Sequence, residues 1–203
     1  MIENYIWDFD GTLYDTYPIM LDAYIKTLKG YDIEADRQEI YQILKAKSSA
    51  SVASKYQLDF EEFATIFKNH EKQDQRIPIS YLGTKEMLEK IIQSGKKNYI
   101  MTHRTVASTK ELLEKEGMLD LFVEIVGTEN NFARKPDPEA LNYLVEKYQM
   151  NPENTVMIGD RTMDVEAGKN AGIKTIFYDI ESILEDISAD ITVNSAKEME
   201  DYI

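Results

Sequence analysis

The sequence predicts an α/β protein: a doubly wound, mostly parallel sheet with a small all-helical segment inserted after the first strand. Three observations carry this. A short apolar run at residues 5–7 ends in two carboxylates and a glycine, Asp8-Phe9-Asp10-Gly11. The stretch 15–80 shows helical spacing and no clear strand, and from residue 81 onward helical and strand patterns alternate. The expected division is therefore a core of residues 1–14 and 81–203 and a helical cap of residues 15–80.

Taken in order, residues 5–7 read as a buried first strand, and from Tyr14 the pattern turns helical. Pro18 suits a first helical turn, and Ile19, Ala23, Tyr24, Thr27 and Leu28 recur at helical spacing before Gly30. Asp36 with Glu39, and Asp59 with Glu62, are capping-box pairs ahead of apolar runs. Residues 45–51, small, polar and locally basic, read as a loop between those helices: either a linker in solvent or a segment that reaches substrate. Met87, Leu88, Ile91 and Ile92 mark a helix closed by Gly95. Strands are expected at 97–101, 123–126, 155–158, 174–177 and 191–193. Helices are expected at 107–116, after an Asp137 cap with Pro138 in the first turn, and at 165–171 after a loop over 159–164. Ile183, Leu184 and Ile187 are placed on a last helix.

Composition narrows the function. The 203 residues suffice for a sizeable core. A net charge of -14, from 37 acidic and 23 basic residues, argues against nucleic acid or an anionic membrane surface as partner. An anionic substrate then needs a strong local positive site, such as a divalent metal with a lysine. No cysteine is present, which excludes disulfides and thiolate metal sites and fits a reducing compartment. With no basic leader pattern at Met1 and no long apolar stretch, a cytoplasmic location is expected.

Side chains alternate along a strand, so Asp8 and Asp10 project the same way at its end while Phe9 faces the core. Two acids so close suggest a metal site, a nucleophile with a proton donor, or a capped turn. In open α/β sheets ligands bind beyond the carboxyl ends of strands, and Asp8, Thr102, Lys135 and Asp160 all fall at or beyond such ends.

The combination of Asp8-Phe9-Asp10-Gly11-Thr12-Leu13, Thr102, Lys135-Pro136-Asp137-Pro138 and Gly159-Asp160-Arg161-Thr162-Met163-Asp164, in this order, resembles the haloacid-dehalogenase-like (HAD) superfamily. The helical insert is similar to that of its phosphoglycolate-phosphatase-like and β-phosphoglucomutase-like members. The resemblance implies a Rossmann-like core and a Mg²⁺-dependent phosphatase acting on a small phosphorylated metabolite. It makes Asp8 the nucleophile that becomes an aspartyl-phosphate, Asp10 the proton carrier, and Thr102 and Lys135 further catalytic groups. Mg²⁺ falls to the side chains of Asp8 and Asp160, the backbone carbonyl of Asp10, and Asp164. Amides of the 8–11 loop, with Gly11 and Thr12, would face the phosphoryl group. His103, Arg104 and Lys45 are further candidates for substrate binding, and Tyr14, Tyr17, Lys47 and Ser48 for leaving-group selection. Mg²⁺ and Lys135 would keep Asp8 ionised, while Asp10, farther from those charges, holds a proton. His70, at the end of a cap helix, reads as structural or solvated. A sugar phosphomutase and a silent phosphate-binding module are the alternatives; dehalogenase chemistry is disfavoured by Asp10. Oligomeric state is left open by the sequence.

Overall fold

The computed structural model describes residues 1–184 and 187–203. The chain opens with β1 (Asn4–Trp7) and passes through four helices, α1 (Tyr17–Lys29), α2 (Arg37–Ala46), α3 (Ser49–Lys55) and α4 (Phe60–Gln73). It then alternates: α5 (Thr84–Gln93), β2 (Lys97–Met101), α6 (Val106–Lys115), β3 (Ile125–Val126), α7 (Glu139–Lys147), β4 (Thr155–Gly159), α8 (Thr162–Asn170), β5 (Lys174–Tyr178), β6 (Ile191–Val193) and α9 (Ala196–Met199). The strands form one sheet in the order β3-β2-β1-β4-β5-β6, and every pairing is parallel. Among the described residues no helix is long and apolar enough to cross a membrane.

Alternation along the strands assigns the two faces. Tyr5, Trp7, Ile100, Val156, Ile158 and Ile176 pack with Leu88 and Ile91 of α5, Leu113 of α6 and Met199 of α9. Ile6, Tyr99, Met101 and Met157 point the other way, onto Leu141 and Leu144 of α7 and Ala167 of α8. Sheets buried on both faces carry such continuous apolar runs. Helices α1–α4 hold a separate apolar cluster around Tyr24, Leu28, Ile40, Leu44, Val52, Phe63 and Phe67. Within it the Tyr24 and Phe67 rings stack at 4.2 Å.

Several boundaries differ from the sequence expectation. Lys45 and Ala46 belong to α2, and residues 49–51 begin α3, because the Ser51 N–H donates to Ser48 Oγ (3.3 Å) and makes the serine run a helix start rather than a loop. Helix α8 begins at Thr162, inside the expected loop, because Asp164 Oδ2 accepts the Arg161 N–H at 3.0 Å and closes the first turn. Strand β3 is shorter than the expected 123–126. Pro138 occupies the N-cap position of α7 one residue later than expected, while Asp137 supplies the capping side chain, its Oδ1 accepting the Glu139 N–H at 2.9 Å. Residues 183, 184 and 187 lie outside any helix, and 185–186 of that expected helix fall outside the described residues. Four-residue α9 is too short to leave a periodic pattern in the sequence.

Register brings the site together. Trp7 pairs with Ile100 on one side and Ile158 on the other, so three chains leave the sheet at one edge in step. A buried polar anchor fixes this register: Asn98 Oδ1 accepts the Trp7 indole N–H at 3.0 Å, and Nδ2 donates to the carbonyls of Leu88 and Leu121, each at 3.3 Å. Asn98→Ala would strand the indole N–H and take a donor from the Leu88 and Leu121 carbonyls in a dry interior. The expected result is a loss of about 3 kcal/mol, measured as a lower urea midpoint at unchanged m-value; a midpoint within error of wild type contradicts this role.

Candidate active site

Asp8 leaves the end of β1 with its N–H donating to Ile158 O at 2.8 Å, which pins it between β1 and β4. Asp160 follows β4 directly, and Asp164 lies in the first turn of α8. All three are buried, and one carboxylate oxygen of each lies within 4.8 Å of the others. Two lysines offset their charge. Lys135 Nζ, itself buried, is 2.5 Å from Asp8 Oδ1 and 2.6 Å from Asp164 Oδ1. Lys45 Nζ is 2.7 Å from Asp160 Oδ2.

The offset is incomplete. Burial pushes the Asp8 carboxyl up to about 8, with Asp164 and Asp160 adding to the rise against the opposing pull of Lys135. Burial alone would lower the Lys135 ammonium, but Asp164 and Asp8 outweigh it and hold the group above the usual lysine value. Three buried acids form an all-oxygen donor set, and the cost of ionising all three beside two ammonium groups is one that a hard divalent cation would offset, keeping Asp8 as a carboxylate when bound.

Gly11 takes φ +84°, a left-handed turn open to glycine, and a side chain there would run into the Tyr17 ring and the Asp160 carboxylate. The buried Thr12 hydroxyl lies 3.2 Å from Asp160 Oδ1 and 3.5 Å from Asp8 Oδ2, bracing two acids rather than facing a ligand. Of the 8–11 loop amides, Asp8 is committed to Ile158 O and Gly11 to Tyr14 O at 2.8 Å; Phe9 and Asp10 have no backbone partner among the described residues. Thr102 is buried at the end of β2, and its Oγ1 accepts the Arg104 N–H at 3.1 Å.

Asp10 stands apart from the three acids. Its Oδ1 accepts from Arg104 Nη2 at 2.7 Å and Nε at 3.1 Å, and the same guanidinium lies 5.7 Å from the centre of the Phe9 ring. The sequence expectation sets Asp10 farther from Mg²⁺ and Lys135 but does not include Arg104, which the β2–α6 loop brings over as a positive charge beside it. Glu71, in the last turn of α4, faces this pair; burial raises its carboxyl above the ordinary value, with Asp10 adding and Arg104 opposing. His103 Nε2 accepts the Lys135 N–H at 3.0 Å, and burial with Lys135, Arg134 and Arg161 pushes the imidazole down to about 2. It is a neutral brace for the lysine loop.

The helical segment contributes more than its sequence suggested. The Tyr17 hydroxyl donates to Asp160 Oδ2 at 2.9 Å. Arg161 Nε donates to Leu44 O at 2.9 Å and Nη2 to Lys47 O at 3.2 Å. Tyr14, expected among the leaving-group selectors, is instead a core residue, stacked on Phe9 at 4.5 Å with its hydroxyl donating to Leu112 O at 3.0 Å. Ser48 caps α3, Lys47 is exposed, and His70 Nδ1 lies 3.0 Å from the Thr27 hydroxyl. Tyr17, Glu71 and Arg161 lack a local sequence signal for these contacts, apart from the adjacency of Arg161 to Asp160.

Comparison with known proteins agrees with this geometry. Residues 5–178 match the family model described as haloacid dehalogenase-like hydrolase. A phosphoglycolate phosphatase of Psychrobacter arcticus is 28% identical over 186 residues, covering 84% of this chain and 80% of that protein. The pyrophosphatase PpaX of Bacillus mycoides is 30% identical over 179 residues, covering 86% and 82%. The crystal structure of a hydrolase from Streptococcus pneumoniae superposes with a TM-score of 0.60 at 36% identity, covering 86% of this chain and 91% of that one. With the family model spanning most of its length and the buried acids standing at the carboxyl edge of a parallel sheet, the chain belongs to the haloacid-dehalogenase-like hydrolases.

Proposed function

We propose that the protein is a Mg²⁺-dependent phosphatase that hydrolyses a small phosphorylated metabolite through an aspartyl-phosphate on Asp8. One observation carries the reading: a buried carboxylate at the end of the central strand, held 2.5 Å from a buried lysine and grouped with two further acids. Family membership supports it, as do relatives named as phosphatases. Asp8, Asp160 and Asp164, with the Asp10 carbonyl, would hold the cation. When bound, the ion stabilises negative charge on the transferring phosphoryl oxygens.

The remaining steps belong to the side chains. An Asp8 oxygen attacks phosphorus in line, forming a new P–O bond as the bond to the leaving oxygen breaks, and Asp10 passes that oxygen a proton. Water then attacks phosphorus, gives its proton to Asp10, and releases phosphate with Asp8 restored as a carboxylate. Lys135 places positive charge beside the nucleophile throughout. The Thr102 hydroxyl, which accepts from Arg104 and so keeps its own proton for another acceptor, and the Phe9 and Asp10 amides are donors for phosphoryl oxygens. Arg104 holds both Asp10 oxygens as an ion pair in the free protein, so for Asp10 to act as the acid a proton arriving with the phosphate monoester must displace the guanidinium from one oxygen, and it is this proton that passes to the leaving oxygen.

A panel of phosphorylated metabolites assayed with Mg²⁺ tests the reading. Asp8→Asn is expected to lower kcat by more than about 10³-fold with the circular dichroism spectrum unchanged; wild-type turnover in this variant would overturn the assignment. Asp10→Asn is expected to lower kcat by about 10²–10⁴-fold. EDTA is expected to abolish turnover and added Mg²⁺ to restore it, so activity that survives chelation contradicts the cation requirement.

A further inference from the structure

The helical segment and the core exchange two cations across their junction. Lys45, in the last turn of α2, crosses into the carboxylate group and sits 2.7 Å from Asp160. Arg161, the next residue after Asp160, crosses the other way and donates to the Leu44 and Lys47 carbonyls on either side of Lys45. Those carbonyls belong to the end of α2, where unpaired C=O groups and the helix dipole favour a cation. The lysine is closely boxed: its Nζ lies 5.1 Å from the Tyr17 ring centre and 5.6 Å from that of Tyr41, and its side chain is 2% exposed. Tyr17 closes the box by donating to the same Asp160 oxygen.

A buried lysine held this tightly is not free to follow a substrate. Its charge acts on the acids: with α2 docked, Lys45 supplies one of the two ammonium groups that offset Asp8, Asp160 and Asp164. With α2 lifted, Lys135 would be the remaining ammonium group among the described residues, beside the Arg161 guanidinium that acts on all three acids in either state. Interactions between charges this close and this poorly solvated are strong, so the difference falls on whatever other cation the acids hold.

We propose that Lys45, seated by Arg161, is a positioning residue that couples the docking of α2 to the cation affinity of the Asp8, Asp160 and Asp164 group. Docking weakens the cation's hold and undocking strengthens it; by linkage, a bound cation favours release of α2 by the same factor. The helix that covers the site thereby reports on its occupancy. This inference rests on the cation reading given above.

Isothermal titration of the full chain with Mg²⁺ tests it without any turnover. Lys45→Met keeps an unbranched apolar stem between the two tyrosines and removes the charge; it is expected to bind Mg²⁺ about tenfold more tightly than wild type. Arg161→Lys, which keeps a charge beside the acids but can no longer bridge both carbonyls, is expected to shift affinity the same way by less. In the Lys45→Met background Arg161→Lys is expected to add nothing, because its clamp acts through the lysine; a merely structural arginine would give an additive effect. Urea unfolding of each variant shows that the folded protein is being titrated, and Lys45→Arg, which retains the charge, serves as a second variant should Lys45→Met not fold. Unchanged or weaker affinity in Lys45→Met, or wild-type affinity lost by tenfold in Lys45→Arg, overturns the coupling. Absence of Mg²⁺ binding in wild type and all variants alike would instead refute the cation reading itself.

Discussion

Three carboxylates buried together at one sheet edge are the constraint on which the structure turns. Ionised acids taken out of water cost several kcal/mol each unless paired and hydrogen-bonded. Here the pairing comes from distant parts of the chain: Lys135 from the loop after β3, Lys45 from α2, Thr12 from the turn after β1 and Tyr17 from α1. No local segment could satisfy this group alone. The parallel register that aligns Trp7 with Ile100 and Ile158 delivers the acids, and the loops beyond that edge deliver their partners.

The helices after β1 bind to this group as well as to one another. Their apolar cluster explains why α1–α4 hold together, but not why they stand where they do. Contacts with the core do that: Ile183 packs on the cluster, Lys45 and Tyr17 meet Asp160, Arg161 meets the end of α2, and Glu71 faces the Arg104 and Asp10 pair. A chain with a net charge of -14 thus concentrates basic side chains, Lys45, Arg104, Lys135 and Arg161, at the one place where an anionic phosphate must approach. Long-range repulsion of an anion is answered by short-range charge, which acts at full strength where solvent is excluded.

Much of this was legible in the sequence. Strands β2 and β6 fall at the expected residues, and the caps at Asp36 and Asp59 accept from Glu39 and Glu62 as the capping-box spacing implies. The starts of α3 and α8 differ from expectation for one cause: hydroxyl and carboxylate side chains that cap a helix from within an apparently polar loop, as Ser48 and Asp164 do. Polar composition cannot tell a solvated loop from a capped helix start, because both use the same residues.

The amino-acid sequence by itself determined which groups exist and where along the strands they stand: Asp8, Thr102, Lys135 and Asp160 follow strand ends because period-two and period-3.6 patterns are local properties of the chain. Tertiary structure alone decided the partners. That Arg104 holds Asp10, that His103 braces Lys135 as a neutral ring, that Thr12 faces acids and Tyr14 the core, and that Lys45 is sealed against Asp160 all depend on pairs separated by many residues. Such contacts are fixed by the packing of helices against sheet and by the demand of buried charge for compensation, and neither leaves a repeating mark in the chain.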